Sequence, residues 1–135
     1  MSYAMAAALQ AAIYQRLRGS SEVGALVGNA VLDAVPARAA PGLYVLIGPE
    51  EVIDRSDKSG RGAEHRLVIS VVSDAAGFHA AKSVAVAVSD ALADAALVLS
   101  RGRLVGIWFQ KAVAKRTGPA EARRIDLTFR ARVED

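Results

Sequence analysis

The sequence predicts an α+β fold in which two N-terminal helices precede two β-hairpins, and a third helix joins the hairpins and packs on a mainly antiparallel sheet. Apolar residues recur at helical spacing near the N-terminus and again over residues 78–95. Apolar and polar residues alternate along residues 64–72 and 125–133, as they do in strands with one buried face. The predicted order is therefore α-α-β-β-α-β-β.

The first two helices are predicted from an apolar stripe and from the small residues that interrupt it. Over residues 4–18, large apolar side chains recur at every fourth position: Met5, Leu9, Ile13 and Leu17. This is the pattern of a helix packed on a core. Gly19-Ser20-Ser21 ends this helix and starts a short second one, which stops at Gly28-Asn29.

The first hairpin is predicted around a long charged loop. Residues 31–33 form a short extended piece before Pro36 and a turn at Pro41-Gly42, and residues 43–47 form a buried strand. Gly48-Pro49 ends or bends that strand. Two alternatives stay open for residues 52–54, which either resume the strand beyond a bulge or belong to the charged loop of residues 50–63.

The central helix and the second hairpin follow. Residues 78–95 place one set of side chains on the predicted core side of a helix: Ala81, Val84, Ala85, Val88 and Leu92. Residues 104–115 pair with residues 125–133 across a turn at Thr117-Gly118-Pro119. The alternation in the last strand assigns Asp126, Thr128, Arg130 and Arg132 to its non-core face.

Length and composition predict one domain over residues 1–135. The chain has 135 residues and 53% hydrophobic content, which is enough for a core rich in alanine and valine. It has no cysteine, which excludes disulfides and thiolate metal sites, and we expect no metal and no cofactor. No apolar run approaches the roughly 20 residues of a membrane-spanning helix, so we expect a soluble, intracellular protein with no membrane partner.

The charge is asymmetric along the chain. The net charge is +3, but residues 1–100 hold 8 basic and 10 acidic groups, while residues 101–135 hold 9 basic and 4 acidic groups. A basic C-terminal hairpin suits contact with phosphates or with an acidic protein surface. A solvated strand face accounts for the same pattern, and both interpretations stay open.

The residues that carry chemistry in other proteins do not form a catalytic pattern here. His65 and His79 have neither a metal-ligand spacing nor a partnered nucleophile, which favours structural or surface histidines. The acidic pairs Glu50-Glu51 and Asp54-Asp57 lie in the predicted loop, where a solvated or interface role is favoured over acid–base or metal chemistry. We therefore predict that the protein is not an enzyme.

Trp108 and Phe109 are neighbours on a predicted strand, so their side chains point to opposite faces of the sheet. An exposed aromatic side chain beside Lys111 suits a protein interface or the stacking of a nucleic-acid base. A helix that covers each face would instead bury both rings, and this alternative also stays open.

The sequence resembles the tail-completion or tail-terminator proteins of long-tailed phages, prophages and gene transfer agents, a family formerly labelled a domain of unknown function. The order and spacing of short stretches along nearly the whole chain carry the resemblance: residues 9–14 with Arg16-Leu17, residues 33–36, Tyr44-Val45 with Gly48 and Asp54, Gly62 with residues 64–67, Ala81-Lys82, and residues 127–130.

The resemblance implies a structural protein that caps the tail tube as a ring, ends polymerisation of the tube and forms the head-proximal joining surface. The ring is expected to be a hexamer. It also implies its partners: other copies of itself, the tail tube protein, a head-side connector or stopper protein, and DNA that passes through the ring without sequence-specific binding. The expected location is the virion tail, assembled in the bacterial cytoplasm.

Two sets of site residues follow when the resemblance is combined with exposure and charge. The predicted subunit or tube contacts are Asp54, Arg55, Asp57, Lys58, Arg61, Trp108 and Lys111. Arg130 and Arg132 are predicted to face the ring channel or an acidic partner. The alternative function is a small basic domain that binds nucleic acid through the C-terminal hairpin, and an enzyme ranks third.

Overall fold

The computed structural model describes residues 2–33, 42–75, 77–117 and 122–135. A 3-10 helix (Ser2–Met5) leads into α1 (Ala6–Gly19) and α2 (Ser21–Val27). The strands and the third helix follow in the order β1 (Val31–Leu32), β2 (Leu43–Asp54), β3 (Gly62–Ser73), α3 (His79–Leu92), β4 (Arg103–Thr117) and β5 (Ala122–Glu134). The predicted α+β fold class and the order of its helices and hairpins are confirmed.

The five strands form one sheet in the order β1-β2-β3-β5-β4. The short strand β1 runs parallel to β2, and the other neighbours are antiparallel. Two predicted turns, at Pro41-Gly42 and at Thr117-Gly118-Pro119, include residues outside the described part of the chain. Pro36 also lies outside it.

In the described residues, α1, α2 and α3 pack on one face of the sheet, which we call the helix face. Phe129 is fully buried there and meets Phe109 edge to face, with ring centroids 5.9 Å apart. The five residues predicted for the core side of α3 are all buried, and so is the apolar stripe of α1. The opposite side of the sheet, which we call the open face, carries Arg66, Asp126 and the other polar residues of the alternating strands.

The first hairpin differs from the predicted long loop. Strand β2 continues through a β-bulge between Ile47 and Glu50 and stays paired with β3 as far as Asp54. The bulge adds a residue to one strand, so the side chains beyond it change faces. Because of this change, Glu50 lies opposite Leu67 and points to the helix face, and Glu51 lies opposite Arg66 on the open face. The resumed strand at residues 52–54 is confirmed, whereas the loop of residues 50–63 is wrong.

Gly102 is the position where backbone conformation restricts the sequence most. Its φ is +75°, and a Cβ there would lie 2.7 Å from the Glu134 carbonyl oxygen and collide with the Met5 side chain. We expect Gly102→Ala to lower the free energy of unfolding by about 2 kcal/mol, because left-handed strain and overpacking combine. Gly19→Ala, which meets open space at an ordinary φ, is the control, and urea unfolding of both variants is the measurement. Equal effects would contradict the prediction.

Candidate assembly surfaces

The tip of the first hairpin is a tight, ordered turn. Asp57 and Gly60 form an isolated antiparallel bridge, with the Asp57 N–H donating to the Gly60 carbonyl at 2.9 Å. One carboxylate oxygen of Asp57 accepts bonds from the Ser59 N–H and hydroxyl, each at 2.8 Å, and from the Gly60 N–H at 3.0 Å. The hydrogen bond from the Ser59 hydroxyl is the main reason that the pKa of Asp57 lies below its ordinary value. Asp57 therefore shapes the turn, which leaves Lys58 exposed at its end.

The C-terminal end of the chain forms hydrogen bonds with this tip. The Asp135 N–H donates to the Arg61 carbonyl at 2.9 Å, and Arg132 donates to the Arg55 carbonyl at 3.3 Å. Asp54 accepts from the Ser56 hydroxyl at 2.7 Å. The structure thus brings together five predicted contact residues and one predicted channel residue at one end of the sheet: Asp54, Arg55, Asp57, Lys58, Arg61 and Arg132.

The middle of the open face holds a carboxylate among three guanidinium groups. The Glu64 side chain is only 8% exposed, and its oxygens lie 3.2 Å from Arg66, 3.5 Å from Arg130 and 3.9 Å from Arg55. The three arginine side chains are 42–46% exposed. The cluster therefore keeps one charge buried and presents an excess of positive charge to solvent.

Trp108 joins this cluster from the edge strand β4. The Arg130 guanidinium lies over its ring at 4.8 Å from the centroid, which is a cation–π arrangement. Gly106, two residues earlier, makes room for the indole, because a Cβ there would collide with it. Trp108 and Phe109 lie on opposite faces, as predicted, and both stay partly exposed, at 36% and 44%. Lys111 is exposed further along the same strand.

A second polar cluster lies farther along the open face. The Asp126 carboxylate accepts from the Ser70 hydroxyl at 2.7 Å and from Arg124 at 2.8 Å, and it pairs with Lys115 at 3.2 Å. Partial burial raises the pKa of Asp126, but these hydrogen bonds outweigh burial and hold the pKa below its ordinary value. The carboxylate therefore stays ionised near neutral pH and links three strands.

We expect Asp126→Asn to lower the free energy of unfolding by about 1.5 kcal/mol at pH 7, since it weakens charge-assisted hydrogen bonds. The folded pKa lies below the unfolded one, so the stabilisation is present above the unfolded pKa of about 4 and is lost as the pH falls through the folded pKa. Urea unfolding at pH 7 and pH 3 should therefore show the two proteins converging in acid. The exposed substitution Asp90→Asn is the control, and a constant difference between pH 7 and pH 3 would contradict the expectation.

The histidines are placed differently from one another. His65 is fully buried on the helix face, and its Nδ1 lies 3.2 Å from the Glu50 carboxylate. Sequence reasoning missed this partner, because the bulge decides that Glu50 turns inward. His79 is exposed at the start of α3. In the described residues, no group of three or more His, Cys, Asp or Glu side chains is placed to hold a metal ion.

Sequence reasoning assigned Asp126 to the non-core face but missed its contacts, and it missed Glu64 and Arg124 as parts of the open face. The pairing of β3 with β5 brings these residues together from positions more than fifty residues apart.

Among the helices that the structure describes, none has the length and apolar character needed to cross a membrane.

Two comparisons with known proteins found a match. A family model described as "Tail completion protein gp17" matches residues 11–134. Among solved structures, a chain of the virion of a native gene transfer agent (GTA) particle is 63% identical in sequence, with a TM-score of 0.93. The match covers 99% of this chain and 100% of that one. No curated protein matches.

These matches define the class as structural proteins of phage-type tails. The chain belongs to the tail completion protein gp17 family. The resemblance to tail-completion proteins of phages and gene transfer agents is therefore confirmed over nearly the whole chain.

Proposed function

We propose that this protein caps a phage-type tail tube as a ring, ends polymerisation of the tube and forms the head-proximal joining surface. The observation that carries the proposal is the match over the whole chain to a component of a gene transfer agent virion, together with the family match. The proposal assigns a structural and not a catalytic role to a single domain of residues 1–135. It places the protein in the virion tail, after assembly in the bacterial cytoplasm.

The proposed partners are further copies of the chain in a hexameric ring, the tail tube protein, and a head-side connector or stopper protein. DNA passes through the ring without sequence-specific contacts. Two features support a role in assembly. In the part of the chain that the structure describes, no helix packs on the open face. The hairpin tip holds its charges on an ordered turn, which limits the entropy lost when a partner binds.

The predicted site residues divide between two roles in this proposal. The hairpin tip contacts a neighbouring subunit or the tube through Asp54, Arg55, Asp57, Lys58 and Arg61, and strand β4 does so through Trp108 and Lys111. Arg130 and Arg132 face the channel or an acidic partner. Both sets lie at the tip or on the open face, and Arg132 touches the tip directly.

Purified protein added to polymerising tube protein tests the proposed function. We expect tube growth to stop, and light scattering with particle images to show closed rings, either alone or on the tube ends. Unchanged tube growth would contradict the capping role. A protein that stays monomeric with tube protein, yet binds DNA in a steeply salt-dependent way, would instead favour the basic nucleic-acid-binding domain.

Charge reversal at the hairpin tip tests the contact role without removing the turn. We expect Lys58→Glu with Arg61→Glu to weaken capping of the tube by about tenfold, the equivalent of about 1.4 kcal/mol of binding free energy. Asp57 and its hydrogen bonds stay intact in this variant, so the fold is preserved. Arg18→Glu, on the exposed side of α1, is the control. Normal capping by the tip variant would contradict a contact between the tip and a partner.

A further inference from the structure

An apolar groove lies between α3 and β4 on the helix face, and the proposed function leaves it unassigned. Its volume is about 370 Å³. Val86 forms its helix wall, Phe109, Ala112 and Ala114 form its strand wall, and Leu127 lies beneath. Val86 is 59% exposed and Phe109 is 44% exposed, so solvent meets the two largest apolar side chains of the walls. The groove exists because α3 packs more on β5 and β3 than on the edge strand β4.

One end of this groove is cationic. The Lys82 ammonium and the Arg123 guanidinium both lie over the Phe78 ring, at 5.9 Å and 5.6 Å from its centroid. Arg116 is paired with Arg123 in the register of β4 and β5, and it is exposed. Among the residues that the structure describes, no carboxylate lines the groove. A partner that fits must therefore bring an apolar side chain with an acidic group beside it, because complementary charges favour association and like charges oppose it.

The opposite flank of the same chain presents such a pair. Helix α2 packs against α1, α3 and β2, on the side of the sheet away from the β4 edge. Leu26 is 43% exposed on this helix, and the exposed Glu22 precedes it by four residues, which places both on one helix face. The exposed Ala25 beside them is small enough to permit close approach.

We propose that the groove binds α2 of a second copy of this chain, with Leu26 between Val86 and Phe109 and with Glu22 facing Lys82 and Arg116. The contact joins two different patches, so it is heterologous and closes into a ring when the rotation between copies allows it. A groove that faced the same groove of another copy would bring no carboxylate of the described lining residues to the cations. This inference rests on the proposed ring and identifies the surfaces that build it.

Cysteine cross-linking tests the contact in the full chain, which contains no cysteine of its own. The variant Leu26→Cys with Val86→Cys should form disulfides between copies, which require Cβ atoms about 4 Å apart. We expect a ladder of cross-linked oligomers under oxidation, in an amount at least about tenfold above that of either single variant. In a heterologous contact, position 26 of one copy meets only position 86 of the next, so the cysteine of a single variant has no partner cysteine. Leu26→Cys with Val98→Cys is the matched control, since Val98 is 91% exposed and lies beside α1, away from the groove.

A charge exchange gives an independent measurement. We expect Lys82→Glu or Glu22→Lys alone to weaken ring formation by about tenfold, and the two changes together to restore it to within about threefold. A merely structural role for either residue would make the double variant worse than each single one.

The outcomes separate this inference from the proposed function. Rings seen by light scattering without a Leu26–Val86 ladder would overturn the groove contact and leave the capping ring in place. Cross-linking of Leu26→Cys with itself would overturn the heterologous arrangement. A chain that stays monomeric with and without tube protein would overturn the ring and this contact together.

Discussion

The variant Glu64→Gln is expected to lower the free energy of unfolding by about 2 kcal/mol, because it removes the charge that balances three arginines on the open face. The Glu64 carboxylate is nearly buried and lies within 3.2–3.9 Å of Arg55, Arg66 and Arg130. Glutamine keeps the size of the side chain but leaves the guanidinium groups to repel one another. Breaking a fully buried ion pair costs about 3–5 kcal/mol, and we expect less here because the arginines are 42–46% exposed.

Glu51→Gln is the matched control for this prediction. Glu51 lies on the same face, is 67% exposed, and pairs with Arg66 at 3.8 Å. An exposed pair of this kind contributes about 0–1 kcal/mol. Urea unfolding at low and high salt measures both variants, and the Glu64 effect should shrink in high salt because the repulsion is screened. Equal effects of the two substitutions would mean that the central carboxylate does not hold the cluster together.

The sequence predicts the elements of this fold well, because their periodicities are long and regular. The alternation in β5 assigns Phe129 to the core and Arg130 to the open face, and the structure has both in those places. The stripe of α3 likewise predicts its buried side. These predictions depend only on local spacing, which a strand or a helix converts directly into a face.

The irregular points of the chain could not be predicted in the same way. Gly48-Pro49 signals a bend, but it does not say whether the strand stops or shifts its register by one residue. The shift turns Glu50 inward beside His65 and so decides which carboxylate is buried. The tip differs from the predicted loop for a similar reason, since the Asp57 carboxylate accepts three hydrogen bonds that order it.

The open-face clusters could not be predicted from the sequence for another reason. Glu64 meets Arg130, and Ser70 meets Asp126, only because β3 and β5 pair in one particular register. No local spacing fixes that register across a separation of more than fifty residues. The exposure of Arg130 and Arg132 could therefore be predicted from alternation, whereas their contacts could not.

Charge reversal at Arg130 and Arg132 is expected to have the largest effect on the particle. We expect Arg130→Glu with Arg132→Glu to reduce the yield of DNA-delivering particles by about tenfold or more, since it replaces two cations of the proposed channel face with anions that repel DNA or an acidic partner. Particle counts and DNA delivery from cells that carry the variant are the measurement. Unchanged assembly and delivery would contradict the proposed role of both arginines.

The contacts of the two arginines show how to separate this role from an effect on folding. Arg130 balances Glu64 and stacks on Trp108, so glutamate at position 130 places two carboxylates side by side and destabilises the fold. Arg132 instead donates one hydrogen bond, to the Arg55 carbonyl at 3.3 Å. Arg132 is also paired across the two strands with Glu64, so glutamate at position 132 would oppose a like charge, and the neutral Arg132→Gln is the single variant to use. Arg132→Gln alone should change the free energy of unfolding by less than about 1 kcal/mol and still reduce delivery. If delivery falls only when position 130 is changed and stability falls with it, the arginines support the sheet and do not face a partner.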